Sequence, residues 1–226
     1  MIYILHGDDT AASRKFLSIL VENKKIQNLD GKTLTILTLE DAIISESLFG
    51  DEKVVVVENL LSKNTKKKDF IKFLNESSSQ QLLVLWEDKK LLKTTFATLK
   101  NTTAKDFLLP SNYFQFLDNF TPTNKKGTFA LYHELLKTYA AEQLFFSLTK
   151  RVRQLVVLSS GSLTDDLLKM SPWQMNNLQR QLRMWKRESL VNIYNALKKT
   201  ELKLKTGKLS VSLSKHLDIL ILSELT

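Results

Sequence analysis

Cysteine is absent from this chain of 226 residues. Its absence excludes disulfides, thiolate metal sites and cysteine nucleophiles, and it suits a reducing compartment. Histidine is nearly as scarce. His6, His133 and His216 stand far apart without metal-ligand spacing, so each is expected to be structural or solvated. No apolar run reaches membrane-spanning length, and Met1 to Leu5 is followed at once by His6-Gly7-Asp8-Asp9, with no basic leader and no signal-peptide core. A soluble, cytoplasmic protein with no membrane partner is expected. Catalytic patterns are missing as well: no Gly-x-Ser-x-Gly frames a serine, and the adjacent Asp165-Asp166, in a short linker, makes a poor acid/base pair.

What is present is an ordinary globular composition, 43% hydrophobic and 25% charged, in a chain long enough for one large or two small domains. The net charge of +9 is unevenly spread. Residues 1–110 hold 16 Lys/Arg and 15 Asp/Glu, whereas residues 111–226 hold 17 and 9. A basic half suits a polyanion such as nucleic acid, and it also suits a plain basic helical domain.

The first half alternates short apolar runs with helical periodicity, the pattern of a parallel sheet covered by helices. Ile2 to His6, Thr33 to Leu37, Val54 to Glu58, Leu82 to Glu87 and Ala104 to Leu108 read as strands. The uninterrupted runs Val54 to Val57 and Leu82 to Trp86 predict strands buried on both faces. Ala11 to Asn23, Leu39 to Phe49, Lys67 to Asn75 and Leu92 to Leu99 read as helices, and Lys63 to Lys68 as a solvated basic turn. After Pro110 the strand signal stops. Tyr113 to Phe120, Lys126 to Thr138, Ala141 to Ser159, Trp173 to Trp185, Ser189 to Lys205 and Val211 to Glu224 read as helices separated by Ser, Gly and Pro breaks. A boundary near residue 110 follows.

Ser47-Leu48-Phe49-Gly50-Asp51 places two large apolar side chains at a helix tip just before a strand. Thr38 with Asp41 predicts a capping box, and Gly50 predicts the helix end. Leu39, Ala42, Ile43 and Phe49 then share one side, with Ile44 and Leu48 nearly opposite, so the pair fits either burial or a partner site.

The loop Gly7-Asp8-Asp9-Thr10-Ala11-Ala12-Ser13-Arg14-Lys15 follows the first strand where a nucleotide-binding protein carries its phosphate loop. It lacks the second glycine and the Lys-Ser/Thr pair, and Asp8 and Asp9 suit a helix start. Glu58 and Glu87-Asp88 read as ordinary strand-end charges rather than magnesium ligands. In the basic half, Lys150-Arg151-Arg153, Arg180-Arg183-Lys186-Arg187 and Lys198-Lys199-Lys203-Lys205 recur on successive helices among Trp173, Trp185 and Tyr194. Long cations and stacking rings are what nucleic-acid contact requires; the alternative gives the rings to a core and the cations to water.

The order of these features resembles the delta subunit family of the bacterial DNA polymerase III clamp loader. Ile2 to Asp9 is similar to the family's first strand and its phosphate-loop remnant, and Ser47-Leu48-Phe49-Gly50 to the element that grips the sliding clamp. Leu82 to Glu87 with Lys89-Lys90-Leu91 resembles the fourth strand and its lysine-rich turn. Phe114 to Asp118, Leu131 to Leu136, Ser171-Pro172-Trp173 and Glu201 to Gly207 resemble landmarks of the collar domain. The family's helical lid is lacking, since Phe107 to Ser111 runs almost directly from one half to the other.

The resemblance implies an AAA+-type (RecA-like) parallel-sheet α/β domain over residues 1–110 without a functional phosphate loop, then an all-α helical collar over residues 111–226. It implies a non-catalytic accessory subunit of a DNA-directed DNA polymerase (nucleotidyltransferase) holoenzyme, with no cofactor or metal, that binds and opens the sliding clamp in replication. The implied partners are the clamp, gripped by Leu48 and Phe49, the gamma/tau and delta-prime type ATPase subunits, and primed or single-stranded DNA. Trp173 would face the DNA, and the basic clusters add Arg180, Arg183 and Lys186 as possible contacts. Two other classes remain open at this point: a divergent nucleotide-binding enzyme and a simple basic helical nucleic-acid-binding protein.

Overall fold

The computed structural model describes residues 1–44, 53–77 and 81–223, which fall into two compact units, Met1–Leu109 and Pro110–Thr226. The first contains β1 (Ile2–His6), α1 (Thr10–Leu20), β2 (Lys25–Asp30), α2 (Ile36–Ile44), β3 (Lys53–Glu58), α3 (Leu60–Lys63), α4 (Lys67–Glu76), β4 (Leu82–Glu87), α5 (Lys93–Phe96) and β5 (Thr102–Asp106). All strand pairs are parallel, in the order β2-β3-β4-β1-β5. A parallel α/β sheet is what the resemblance implies for this half.

Burial on both faces is why β3 and β4 read as continuous apolar runs: Val54, Val55, Val56 and Val57 are fully buried. On one face Val54, Val56, Val84, Leu5 and Trp86 pack with Leu17 and Val21 from the α1 side. On the other, Val55, Val57, Ile4 and Leu85 pack with Leu39, Ala42 and Ile43 of α2, Leu60 and Leu61 of α3, and Phe70 and Leu74 of α4. Each such side chain contributes about 1.5–3 kcal/mol when fully removed from water. Chain direction sets this layering. The β1-to-β2 crossover carries the chain to one edge of the sheet, the later crossovers carry it back, and right-handed connections then put their helices on opposite faces.

The second strand is not where the sequence predicts it. Thr33 to Leu37 contains the start of α2, because the Thr35 hydroxyl accepts from the Thr38 N–H (3.2 Å) and its carbonyl from the Leu39 N–H (3.1 Å). Thr35 therefore caps this helix in place of the expected Thr38–Asp41 box. The strand is Lys25–Asp30, an edge strand with most of its residues exposed, so it lacks the apolar run that marks a central strand. Of the expected helix to Phe49, α2 is described as far as Ile44; Leu39, Ala42 and Ile43 are buried and Ile44 is exposed, as the pattern predicts. Leu48 and Phe49 lie outside the described residues. Leu92 to Leu99 shrinks to the single turn of α5.

The second unit contains α6 (Ser111–Asn119), α7 (Lys125–Leu135), α8 (Ala141–Ser159), α9 (Asp165–Leu168), α10 (Pro172–Leu182), α11 (Arg187–Lys205) and α12 (Leu213–Ser223), with a 3-10 turn at Pro122–Asn124. Its core joins Tyr113, Phe116, Tyr132, Phe145, Leu148, Val152, Leu178, Leu190, Ile193 and Leu217, all but fully buried. Asp165-Asp166, expected in a linker, instead forms the first turn of α9, where carboxylates complement the helix dipole.

Candidate functional site

Ligands of open α/β sheets bind beyond the carboxyl ends of the strands, at the point where strand order reverses. In the first unit that point lies beside β1, between its neighbours β4 and β5. The rim there is acidic: β2, β3, β4 and β5 end at Asp30, Glu58, Glu87 and Asp106, and β1 ends at His6. Gly7 follows with φ of +145°, and the next turn folds onto the chain that leaves β5. The Asp9 N–H donates to the Phe107 carbonyl (3.0 Å), and the Leu109 N–H donates to the Asp8 carboxylate (2.9 Å). The Asp9 side chain accepts from the Ala12 N–H (3.0 Å) and caps α1. The helix N-terminus that would attract a phosphate thus already holds a carboxylate of its own chain.

The strand-end acids are also engaged. Arg14 bonds Glu58 at 2.6 Å while its guanidinium lies over the Trp86 ring at 3.6 Å, and the Trp86 indole N–H donates to the Ser13 hydroxyl (3.1 Å). This stack ties α1 to the ends of β3 and β4. Lys63, expected to be solvated, pairs with Asp88 at 2.5 Å.

Glu87, read from the sequence as an ordinary strand-end charge, is wholly buried at 0% exposure. It accepts from the N–H groups of Leu61 (2.7 Å) and Ser62 (3.0 Å), which open α3. Burial pushes its carboxyl above the ordinary value, against the pull of the Ser62 side chain and those two N–H groups. Its role is to seat α3 across the sheet end. His6 is held below the ordinary imidazole value, chiefly by burial and also by Lys90, with Asp106 opposing, and its Nδ1 accepts from the Leu91 N–H (3.4 Å). Among the described residues no cluster of His, Asp and Glu has the arrangement of a metal site.

In the second unit the expected contact residues are exposed. Trp173, 67% accessible, follows Pro172 at the start of α10. Ser171 opens that helix with a capping box: its hydroxyl accepts from the Gln174 N–H (3.3 Å), and its own N–H donates to the Gln174 side chain (3.0 Å). Trp173, Asn177 and Arg180 recur at helical spacing on one stripe, and Arg180 donates to Asn177. Arg180 and Arg183 lie at the α10 C-terminus, where cations complement the dipole, and Lys186 immediately precedes α11. Trp185, expected among the interleaved rings, is instead buried against Phe120, with ring centroids 5.9 Å apart. Arg151 leaves the basic set too, pairing with Asp118 at 3.1 Å.

Two features escape the sequence reading. Gln181 is buried and donates to the carbonyls of Leu117 (2.7 Å) and Phe120 (3.0 Å) at the end of α6. A cleft of about 430 Å³ lies between α8, α9 and α11, lined in part by Lys150, Arg153 and Lys198. The recurrence of cations on those helices is visible in the sequence, but their convergence on one cleft is not.

No protein-family profile and no curated protein matches the chain. Among solved structures it is similar to bacterial proteins of the DNA clamp-loader and DNA polymerase III kind. One is the Bacillus subtilis DNA clamp loader delta protein (YqeN), at 13% identity and a TM-score of 0.43, covering 99% of this chain and 95% of that one. Another is a DNA polymerase III gamma subunit-related protein from Thermotoga maritima, at 13% identity and a TM-score of 0.38, covering 100% and 94%.

Proposed function

We propose that the chain is a lidless, delta-like clamp-loader subunit that binds and opens the sliding clamp while partner subunits hydrolyse ATP. The observation that carries this reading is the filled crevice of an AAA+-type sheet. Where an ATPase of this topology would cradle phosphate, this chain places the Asp9 carboxylate on the helix N-terminus and packs the backbone of Phe107 against Gly7. A nucleotide triphosphate would meet negative charge and occupied donors there. Such a scaffold acts by binding. In this account residues 1–110 grip the clamp through Leu48 and Phe49, residues 111–226 hold the loader together as its collar, and Trp173, Arg180, Arg183 and Lys186 face the DNA.

Reconstitution tests the proposal. Clamp, the gamma/tau and delta-prime type ATPase subunits and this chain are mixed with primed circular DNA, and loaded clamp is counted with and without the chain. ATP-dependent loading that needs the chain is expected, together with no stoichiometric Mg-ATP binding by the chain alone in calorimetry. Saturable binding with turnover lost in Lys15→Ala would instead make it a nucleotide-binding enzyme.

A further inference from the structure

We infer that the cleft between α8, α9 and α11 is a binding site for single-stranded nucleic acid, separate from the α10 residues. The inference rests on the helical unit alone and not on the clamp-loader reading. The core side of α8 is Leu144, Phe145, Leu148, Val152 and Leu155. Phe146, Thr149, Lys150, Arg153, Gln154 and Val157, at spacings of three and four, form the adjoining stripe, and this stripe lines the cleft. On α11 the residues Tyr194, Lys198 and Glu201 repeat the same spacing and form the facing wall. Two helices that pack on each other therefore present one row each to the same cleft.

Charge and shape point to the occupant. Among the described residues, Lys150, Arg153 and Lys198 make no ion pair within the chain, so three long cations converge without an internal partner. Of the two acids that share the cleft, Glu201 bonds Lys205 at 2.6 Å, and Asp166 leaves the three cations in excess. Phe146 is 47% exposed, although it stands beside a fully buried core, and Tyr194 is half-buried at the same cleft. Cations that can track phosphates, beside rings on which bases can stack, are the parts of a single-strand site. A protein partner is the poorer fit, because the centre of a protein interface is depleted of lysine.

The test is fluorescence anisotropy of a labelled oligo(dT) with the full chain across a salt series, with heparin as a second polyanion that has no bases. Lys150→Glu/Arg153→Glu/Lys198→Glu is expected to weaken oligo(dT) at least tenfold and to flatten the salt slope by about 0.7 for each cation lost. Phe146→Ala and Tyr194→Phe/Phe146→Ala are made alongside, the former expected to weaken oligo(dT) severalfold while leaving heparin unchanged. Melting temperatures identify any variant that is misfolded, and Phe146→Ala, at an exposed position, keeps the ring test interpretable if the charge reversal unfolds. Binding by the triple variant at wild-type strength overturns the site. So does loss confined to Arg180→Glu/Arg183→Glu/Lys186→Glu, or loss of ATPase-subunit binding with oligo(dT) binding intact. Clamp affinity of the same variants, expected unchanged, separates failure here from failure of the clamp-loader reading.

Discussion

A buried amide such as that of Gln181 is tolerated only while its hydrogens are bonded, and here both go to carbonyls that the end of α6 leaves without helical partners. Gln181→Leu keeps the bulk and removes the donors. The two carbonyls would then be buried unpaired, and about 1–3 kcal/mol of stability should be lost in denaturant unfolding. A loss below about 0.5 kcal/mol would show that water replaces the amide. His6 makes a second prediction at this scale. Its lowered pKa means that the folded chain binds fewer protons than the unfolded one. The stability linked to it is complete above about pH 6.5 and is lost as pH falls through the lowered value. Glu87 acts with the opposite sign: its pKa is raised, so its contribution is complete below about pH 4.3 and shrinks as pH rises through the raised value. Because Glu87 opposes it, the His6 contribution is read as a difference: between pH 7.5 and 5.5 the melting temperature of the wild type should change in the destabilising direction relative to that of His6→Asn. His216, lowered too, contributes in the same direction in both proteins. An identical slope in the variant would remove His6 from the account.

At the scale of elements, the junction of β1 and α1 is a tightly constrained turn of the first unit. A Cβ on Gly7 would stand 1.8 Å from the Phe107 carbonyl oxygen, and its φ of +145° disfavours any side chain. Gly7→Ala should cost at least about 3 kcal/mol or prevent folding, read as soluble yield and melting temperature. A variant of wild-type stability would mean that the loop is not clamped onto β5. How much of the elements could be read from sequence follows from their surroundings. β3 and β4 are plain because burial on both faces demands unbroken apolar runs, and α8 is plain because its core row runs from Leu144 to Leu155 without a break. β2 is not, because an edge strand exposes most of its residues and Lys25, Gln27 and Asn28 dilute the signal. α3 and α9 have four residues each, too few to show a helical period. The tasks of Glu87 and Gln181 depend on backbone groups distant in sequence, so no local pattern could reveal them. At α10 the sequence pattern does not separate the exposed Trp173 from Trp185, because the packing of Trp185 on Phe120 joins residues distant in sequence.

At the scale of the whole molecule, the two units divide the proposed work. The first is nearly neutral, and the turn after its β1 is bonded to its own chain at Asp9 and Phe107; the second carries most of the net charge of +9. The central claim is that Leu48 and Phe49 form the hot spot for the sliding clamp, the claim being drawn from their place before β3 and from the family resemblance. An aliphatic and aromatic anchor that is fully desolvated on binding costs about 2 kcal/mol or more when truncated, roughly thirtyfold in affinity. The most direct measurement is clamp affinity of the wild type and of Leu48→Ala/Phe49→Ala by surface plasmon resonance, with the melting temperature of each protein taken alongside. The account predicts binding by the wild type, a loss of at least thirtyfold in the variant and nearly equal melting temperatures. Equal affinities, a wild type that does not bind the clamp, or a variant that loses several kcal/mol of stability as truncated core residues do, would contradict it.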